Sequence, residues 1–277
     1  MRYPKGSVQL NESRDLPLLR QILRSEFVTH SQLFEFMRLN HYERSRKSFD
    51  WRLRRLVGRN LITRQIHPAW TGDSVYSIAA NAALLLQGAG EYCLVGPGRF
   101  NGKEVERSVL HAIGLNEIQL SLLRAGLLLR WTGCLEVRSQ NELTSFGFAK
   151  DYDAVVTVRT EAGDQRFALE YERSPKPMRY YRNVASLLNR EAHVDHLLYL
   201  ACNYDLLQFV AGFFGNSQRQ VYFGLVKDWH DQLLDMPVSC SSAACCLRFR
   251  DALDTPATQI GLAAIPGKCF ALPLAFL

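Results

Sequence analysis

The run ERSRKSFDWRLRRLVGRNLI, residues 43–62, decides how the first part of the chain is read. Phe49, Leu53, Leu56 and Val57 recur at i, i+4, i+7 and i+8, the spacing that turns one face of a helix towards a core. At about 100° per residue, Lys47, Trp51, Arg54 and Arg55 point away from Phe49, with Arg44 near the same side. Cations and an indole on one ridge suit a helix laid in the major groove of DNA, where Arg and Lys meet phosphates and guanine edges. Arg46, Arg52 and Arg59 flank the ridge and are expected to reach the phosphate walls.

The neighbouring sequence supplies the rest of a small module. From Asp15, DLPLLRQILRSEF sets Leu16, Leu19, Ile22 and Leu23 at helical spacing. VTHSQLFEFMRLN then opens with Thr29 followed three residues on by Gln32, a capping box ahead of Leu33, Phe36 and Met37. Past the basic helix, GRNLITRQI reads as a strand, HPAWTGD as a turn and SVYSI as a second strand. Helix, helix, basic helix and β-hairpin make a winged helix-turn-helix over residues 12–92, with His67–Asp73 as the wing tip. A basic amphipathic helix in a protein-binding bundle is the competing reading.

Charge favours the nucleic acid. Residues 1–90 hold fourteen Lys and Arg against seven Asp and Glu, a net of +7. The whole chain is +6, so the remaining residues come to −1. A polyanion-binding module followed by a nearly neutral one is the expected organisation. A hydrophobic content of 47% with 22% charged residues is that of a soluble globular protein, and no apolar run approaches the roughly 18–20 residues of a membrane span. The start MRYPKGSVQLNES has no apolar core of a signal peptide, so a cytoplasmic protein with no membrane partner is expected. Seven cysteines without a C-x-x-C pair read as buried free thiols.

The stretch 80–91 reads as a short helix running into Gly-rich sequence, which puts a domain boundary in the nineties and a second domain over residues 100–277. KEVERSVLHAIGLNEIQLSLLRAG (103–126) is a long helix. CLEVRSQNEL reads as β-rich, KDYDAVVTVRT as a strand opening with Asp151 and Asp153, and QRFALEYER as the next strand after the turn EAGD. Such a hairpin brings Asp153 and Glu170 together. A basic, aromatic-rich helix with Arg179, Tyr180, Tyr181 and Arg182 follows. DHLLYLACN, QVYFGLVKDW and AACCLRFRDAL read as further strands, with the helix DLLQFVAGFFGN between the first two. The order α-β-β-β-α-β-α-β fits a mixed-sheet α/β domain. His193 and His196 form a lone H-x-x-H, weak as a metal signal.

The Asp153 and Glu170 hairpin resembles the PD-(D/E)XK nuclease superfamily, with a restriction-endonuclease-like fold. The resemblance implies that Asp153 and Glu170 would hold Mg²⁺, which activates a water near the scissile phosphate. The superfamily's lysine position is occupied here by Glu172, and Lys176 reaches back only if the chain turns sharply past Pro175. Glu104, Glu106 or Glu117 would be a further ligand.

The two domains in this order also resemble the bacterial plasmid replication-relaxation (MobC-like) family. His111 and Asn116 in HAIGLNEIQLSLL, Asp153 and Ala154 in DYDAVV, and Glu170, Glu172 and Arg173 in FALEYER carry that resemblance. It implies binding of double-stranded DNA linked to plasmid replication, relaxation or mobilisation, as a homodimer or beside a relaxase or replication protein. The expectation is therefore a DNA-binding protein that needs no cofactor and performs no catalysis. A Mg²⁺-dependent nuclease using Asp153, Glu170, Glu172 and Lys176 is the alternative, and a transcriptional repressor a further one.

Overall fold

The computed structural model describes residues 10–66, 73–91, 103–215, 217, 219–241 and 243–255. The chain forms two compact units, Met1–Leu120 and Ser121–Leu277, both mixing helices and strands.

The first unit runs α1 (Asp15–Ser25), β1 (Val28–Thr29), α2 (His30–Leu39), α3 (Arg46–Gly58), β2 (Ile62–Gln65), β3 (Val75–Ile78) and α4 (Ala80–Gly88). The capping box at α2 is formed as read: Thr29 Oγ1 accepts from the Gln32 N–H at 3.2 Å, and Gln32 Oε1 accepts from the Thr29 N–H at 3.4 Å. Two orphan donors of the helix start are thereby satisfied inside the protein. The apolar faces of the three helices meet as their periodicity requires, burying Leu19, Ile22, Leu33, Phe36, Phe49, Leu53 and Leu56. Helix α3 ends where Asn60 takes a φ of 53°, a left-handed conformation that asparagine tolerates better than most residues.

β1, β3 and β2 make an antiparallel sheet in that order, with Val28 opposite Tyr76 and Ile62 opposite Ile78. The expected wing tip lies, from 67 to 72, outside the described residues. Asp73, at its end, accepts the Ser31 N–H at 2.6 Å and so ties the hairpin to the start of α2.

Helix α5 (Lys103–Arg124) continues from the first unit into the second, and the division at Leu120 falls inside it. In the first unit, Val109, Ala112 and Ile113 pack with Phe27 and Val75, and the buried Asn116 Nδ2 donates to the Phe27 carbonyl at 2.8 Å.

The second unit is built on seven strands in the order β10-β9-β8-β7-β6-β5-β4. These are β4 (Leu128–Gly133), β5 (Ala154–Thr160), β6 (Gly163–Glu172), β7 (His196–Ala201), β8 (Gln220–Leu225), β9 (Pro237–Cys240) and β10 (Ala243–Arg248). β4, β5 and β6 are antiparallel neighbours, β6, β7 and β8 parallel ones, and β8, β9 and β10 antiparallel again. Helices α7 (Met178–Leu188) and α8 (Tyr204–Ala211) make the two crossovers that parallel pairing demands.

The β-rich reading of CLEVRSQNEL is corrected: this is helix α6 (Cys134–Leu143), and the strand is the preceding LLRWTG. Glu136 reaches back to the Gly133 N–H at 3.3 Å, Ser139 donates to the Leu135 carbonyl, and Arg138 pairs with Glu142 at i+4. These local bonds stabilise a helix over the short alternation of Leu135 and Val137. α9 (Val226–Gln232) and α10 (Phe249–Asp254) complete the unit. Among the described residues no helix is long and apolar enough to cross a membrane.

The pleat of β6 sends alternate side chains to opposite faces. Ala168 lies on the face packed by Val137, Tyr181, Val184, Leu188 and Val210, whereas Phe167 meets Phe249 edge to face on the other. Glu170 and Glu172, at even spacing from Ala168, share the face that carries α7.

Candidate functional site

Two groups of charged side chains stand apart from the apolar framework, one on each unit. The first is α3. Lys47, Trp51 and Arg54, at i, i+4 and i+7, are all exposed, Trp51 at 58%. Arg44 ahead of the helix and Arg59 behind it are exposed as well. Arg46 is exposed, with its guanidinium 5.0 Å from the Phe34 ring centre and 3.7 Å from Asp50.

Two of the arginines expected at the DNA, Arg52 and Arg55, are drawn towards acids of the same unit. Arg52 is 6% exposed and points inward, donating to Asp15 Oδ1 at 2.7 Å and to Glu43 Oε2 at 3.3 Å. Arg55 is partly buried, bonds the other oxygen of Asp15, and lies 5.1 Å from the Trp51 ring centre. The helical angle explains Arg52, which sits about 60° from Phe49 and thus at the edge of the core-facing side. Its acid partner is 37 positions away on α1, beyond the reach of any local pattern. Burial pushes the Asp15 carboxyl up, but the Asn11 N–H, Arg52 and Arg55 outweigh it and hold it below its ordinary value. The outward ridge is therefore Arg44, Lys47, Trp51, Arg54 and Arg59, with Arg46 beside it.

The second group lies where β5 begins and β6 ends. Ala154 pairs with Leu169, so one step on Asp153 comes opposite Glu170. Asp153 Oδ2 accepts the Tyr171 N–H at 2.8 Å, which fixes the carboxylate against β6. Glu170 and Glu172 are both buried, at the end of β6. Glu170 Oε1 accepts from Lys150 Nζ, a lysine in the loop ahead of β5 that the sequence reading passed over. Lys176 does fold back past Pro175, donating to Glu172 Oε1 at 2.8 Å and to the Tyr180 hydroxyl at 3.5 Å. The Tyr180 ring has an ammonium on either count, Lys176 at 4.5 Å and Lys150 at 5.8 Å from its centre.

Burial acts against each charge in this cluster, and the neighbours decide the outcome. Burial disfavours the charged form of Lys150, yet the Glu170 carboxylate beside it raises its pKa above the ordinary lysine value. Burial raises Glu170, with the Asp153 charge adding to the effect and Lys150 opposing it. Lys176 is raised for the same reason as Lys150, Glu170 being its leading carboxylate. The Tyr199 hydroxyl, on the strand position that pairs with Glu170, is buried with no hydrogen-bond partner among the described residues.

Each of the two strand-end carboxylates therefore meets a lysine, Glu170 from the loop ahead of β5 and Glu172 from the loop after β6. Of the helix acids considered as further ligands, Glu117 belongs to the first unit, where it accepts from Gln32 Nε2 at 3.4 Å. Among the described residues no group of three or more His, Cys, Asp and Glu side chains suited to a metal ion occurs. His196 is buried on β7 with its Nδ1 3.4 Å from the Tyr222 hydroxyl, and His193 packs edge-on to Phe148.

No protein-family model matches the chain, and no curated protein or solved structure matches it either.

Proposed function

We propose that this chain is a site-directed binder of double-stranded DNA, with α3 as the recognition helix of a winged helix-turn-helix. The observation that carries the reading is the exposed stripe Lys47, Trp51 and Arg54 on a helix followed at once by an antiparallel hairpin. A helix with this stripe enters a major groove with guanidinium and ammonium groups towards base edges and phosphates. The net of +7 over residues 1–90 adds the long-range attraction. The order of the two units, together with His111, Asn116 and the FALEYER strand, supports a place in plasmid replication, relaxation or mobilisation. There a relaxase or replication protein would be the partner, and a two-fold site would call for a homodimer.

The test is duplex binding by the full chain and by Lys47→Ala with Arg54→Ala, across a salt series. The reading predicts steep salt dependence in the parent and a loss of affinity in the double variant. Equal binding by the two proteins would falsify it.

One observation favours a second reading, a metal-dependent DNA nuclease. The helix, the antiparallel β4-β5-β6 and the α7 crossover to parallel β7 follow a restriction-endonuclease-like order. Lys150 meets Glu170 there although Glu172 stands at the strand lysine position. Asp153 and Glu170 offer the oxygen donors a hard divalent cation takes, and Mg²⁺ held by them would supply charge to polarise a phosphodiester and its attacking water. Nicking of supercoiled plasmid with Mg²⁺ or Mn²⁺, lost in Asp153→Asn, is the result this reading requires.

A further inference from the structure

The second unit is electrically neutral as a whole and strongly polarised within. Over Ser121–Leu277 there are sixteen Lys and Arg and sixteen Asp and Glu. Five of those cations, Arg173, Lys176, Arg179, Arg182 and Arg190, fall in residues 173–190, which contain no acidic residue. That stretch is +5 and the rest of the unit −5.

Helix α7 divides this charge between two sides. Its inner side is committed: Tyr181, Val184 and Leu188 are buried, and Tyr180 lies over Lys176. On the outer side Arg179, Arg182 and Ser186 recur at i, i+3 and i+7, all exposed, with Asn183 beside them. This spacing keeps them on one ridge, and the exposed Arg190 follows two residues past the end of the helix.

Four other arginines of the unit are tied to carboxylates. Arg138, Arg219, Arg248 and Arg250 pair with Glu142, Asp195, Asp251 and Asp235. No carboxylate of the described residues pairs with Arg179, Arg182 or Arg190. A solvated helix face of mixed charge would carry i, i+4 acids to offset such cations. Here the arginines are left with open guanidinium forks and small polar side chains between them, the composition that meets a phosphate backbone without reading bases.

We infer that the outer ridge of α7 is a second DNA-binding surface, one that holds the phosphate backbone of duplex DNA through Arg179, Arg182 and Arg190. It deepens the proposed function by giving the second unit its own sequence-independent hold on DNA, and it does not depend on α3.

The test is fluorescence anisotropy of the full chain with a labelled duplex over a salt series. Four proteins are compared: the parent, Lys47→Ala with Arg54→Ala, Arg179→Ala with Arg182→Ala, and Arg179→Lys with Arg182→Lys. Loss of two phosphate contacts predicts a slope of log affinity against log salt shallower by about 1 to 2, and roughly tenfold weaker binding at low salt. The lysine pair should retain most of the parent's slope. Thermal unfolding of the alanine pair should match the parent, because both side chains are exposed.

If the α7 alanine pair leaves slope and affinity unchanged while the α3 pair weakens binding, the α7 surface is wrong and the α3 reading stands. An effect of the α7 pair alone overturns the α3 reading and keeps this one. Absence of duplex binding by the parent overturns both. Binding that is confined to single-stranded DNA overturns the assignment to duplex.

Discussion

Lys150 and Glu170 pair inside the second unit with side chains 8% and 2% exposed, one from the loop ahead of β5 and the other from the end of β6. Neither group has bulk water to solvate it: the Glu170 carboxylate favours the charged form of Lys150, and Lys150 opposes the burial that pushes Glu170 up. Breaking such a pair from one side leaves a buried charge alone and is strongly destabilising, by about 3–5 kcal/mol. Lys150→Met should show a loss of that order in denaturant unfolding. Lys150→Met combined with Glu170→Leu should recover most of it, because an apolar pair removes both charges together. A double variant as unstable as the single one would show that the cost lies in packing.

The two arginines that face opposite ways on α3 should separate stability from binding. Arg52→Met leaves Glu43 and part of Asp15 buried without their cation and should cost about 3 kcal/mol of stability. Arg54→Ala touches an exposed side chain and should change stability by less than about 0.5 kcal/mol. Its effect should appear in DNA affinity. Unfolding curves and duplex titrations on the two single variants check both halves.

Acid should weaken the two units in different pH windows. His196 is buried where its neutral form is favoured, so its folded pKa lies below the ordinary value. As pH falls below about 6.5 the unfolded chain takes up a proton that the folded one resists, and stability drops. Asp15 is also depressed, but from a carboxylate's starting point, so its contribution is present above about 4 and is lost only as pH falls through its folded value. Stability measured from about pH 7.5 to 5 should fall less in His196→Phe than in the parent. Asp15→Asn should instead be destabilised already at pH 7.

The α2 capping box gives a smaller, local expectation. Thr29→Ala removes the acceptor of the Gln32 N–H in a buried position and should cost about 1 kcal/mol. Thr29→Ser, which keeps the oxygen, should stay close to the parent in the same melt.

The acid pair can be tested apart from stability. If the second unit cleaves DNA, Asp153→Asn should abolish metal-dependent nicking, whereas Arg54→Ala should only weaken binding. A parent protein that shifts plasmid and leaves it intact with Mg²⁺ and Mn²⁺ excludes the nuclease reading. The lysines would then be counter-charges for the buried carboxylates of Glu170 and Glu172.

The sequence by itself determined what depends on neighbours within a turn or a strand. The period of Phe49, Leu53 and Leu56 placed α3 and chose its buried face, and Thr29 with Gln32 marked the start of α2. The apolar run ending in FALEYE marked β6, and a spacing of two puts Glu170 and Glu172 on one face. Local reading also misled, as where helical hydrogen bonds around Glu136 and Ser139 make Cys134–Leu143 a helix in place of the β-rich stretch expected there. What only the tertiary structure decided was partnership between distant charges. Arg52 looked like its neighbours until Asp15, 37 positions earlier, took its guanidinium into the core. Lys150 lay outside the strand motif until the β5–β6 pairing brought its loop to Glu170. An ion pair is set by separation in space, and separation in sequence carries no information about it once the chain has turned back on itself.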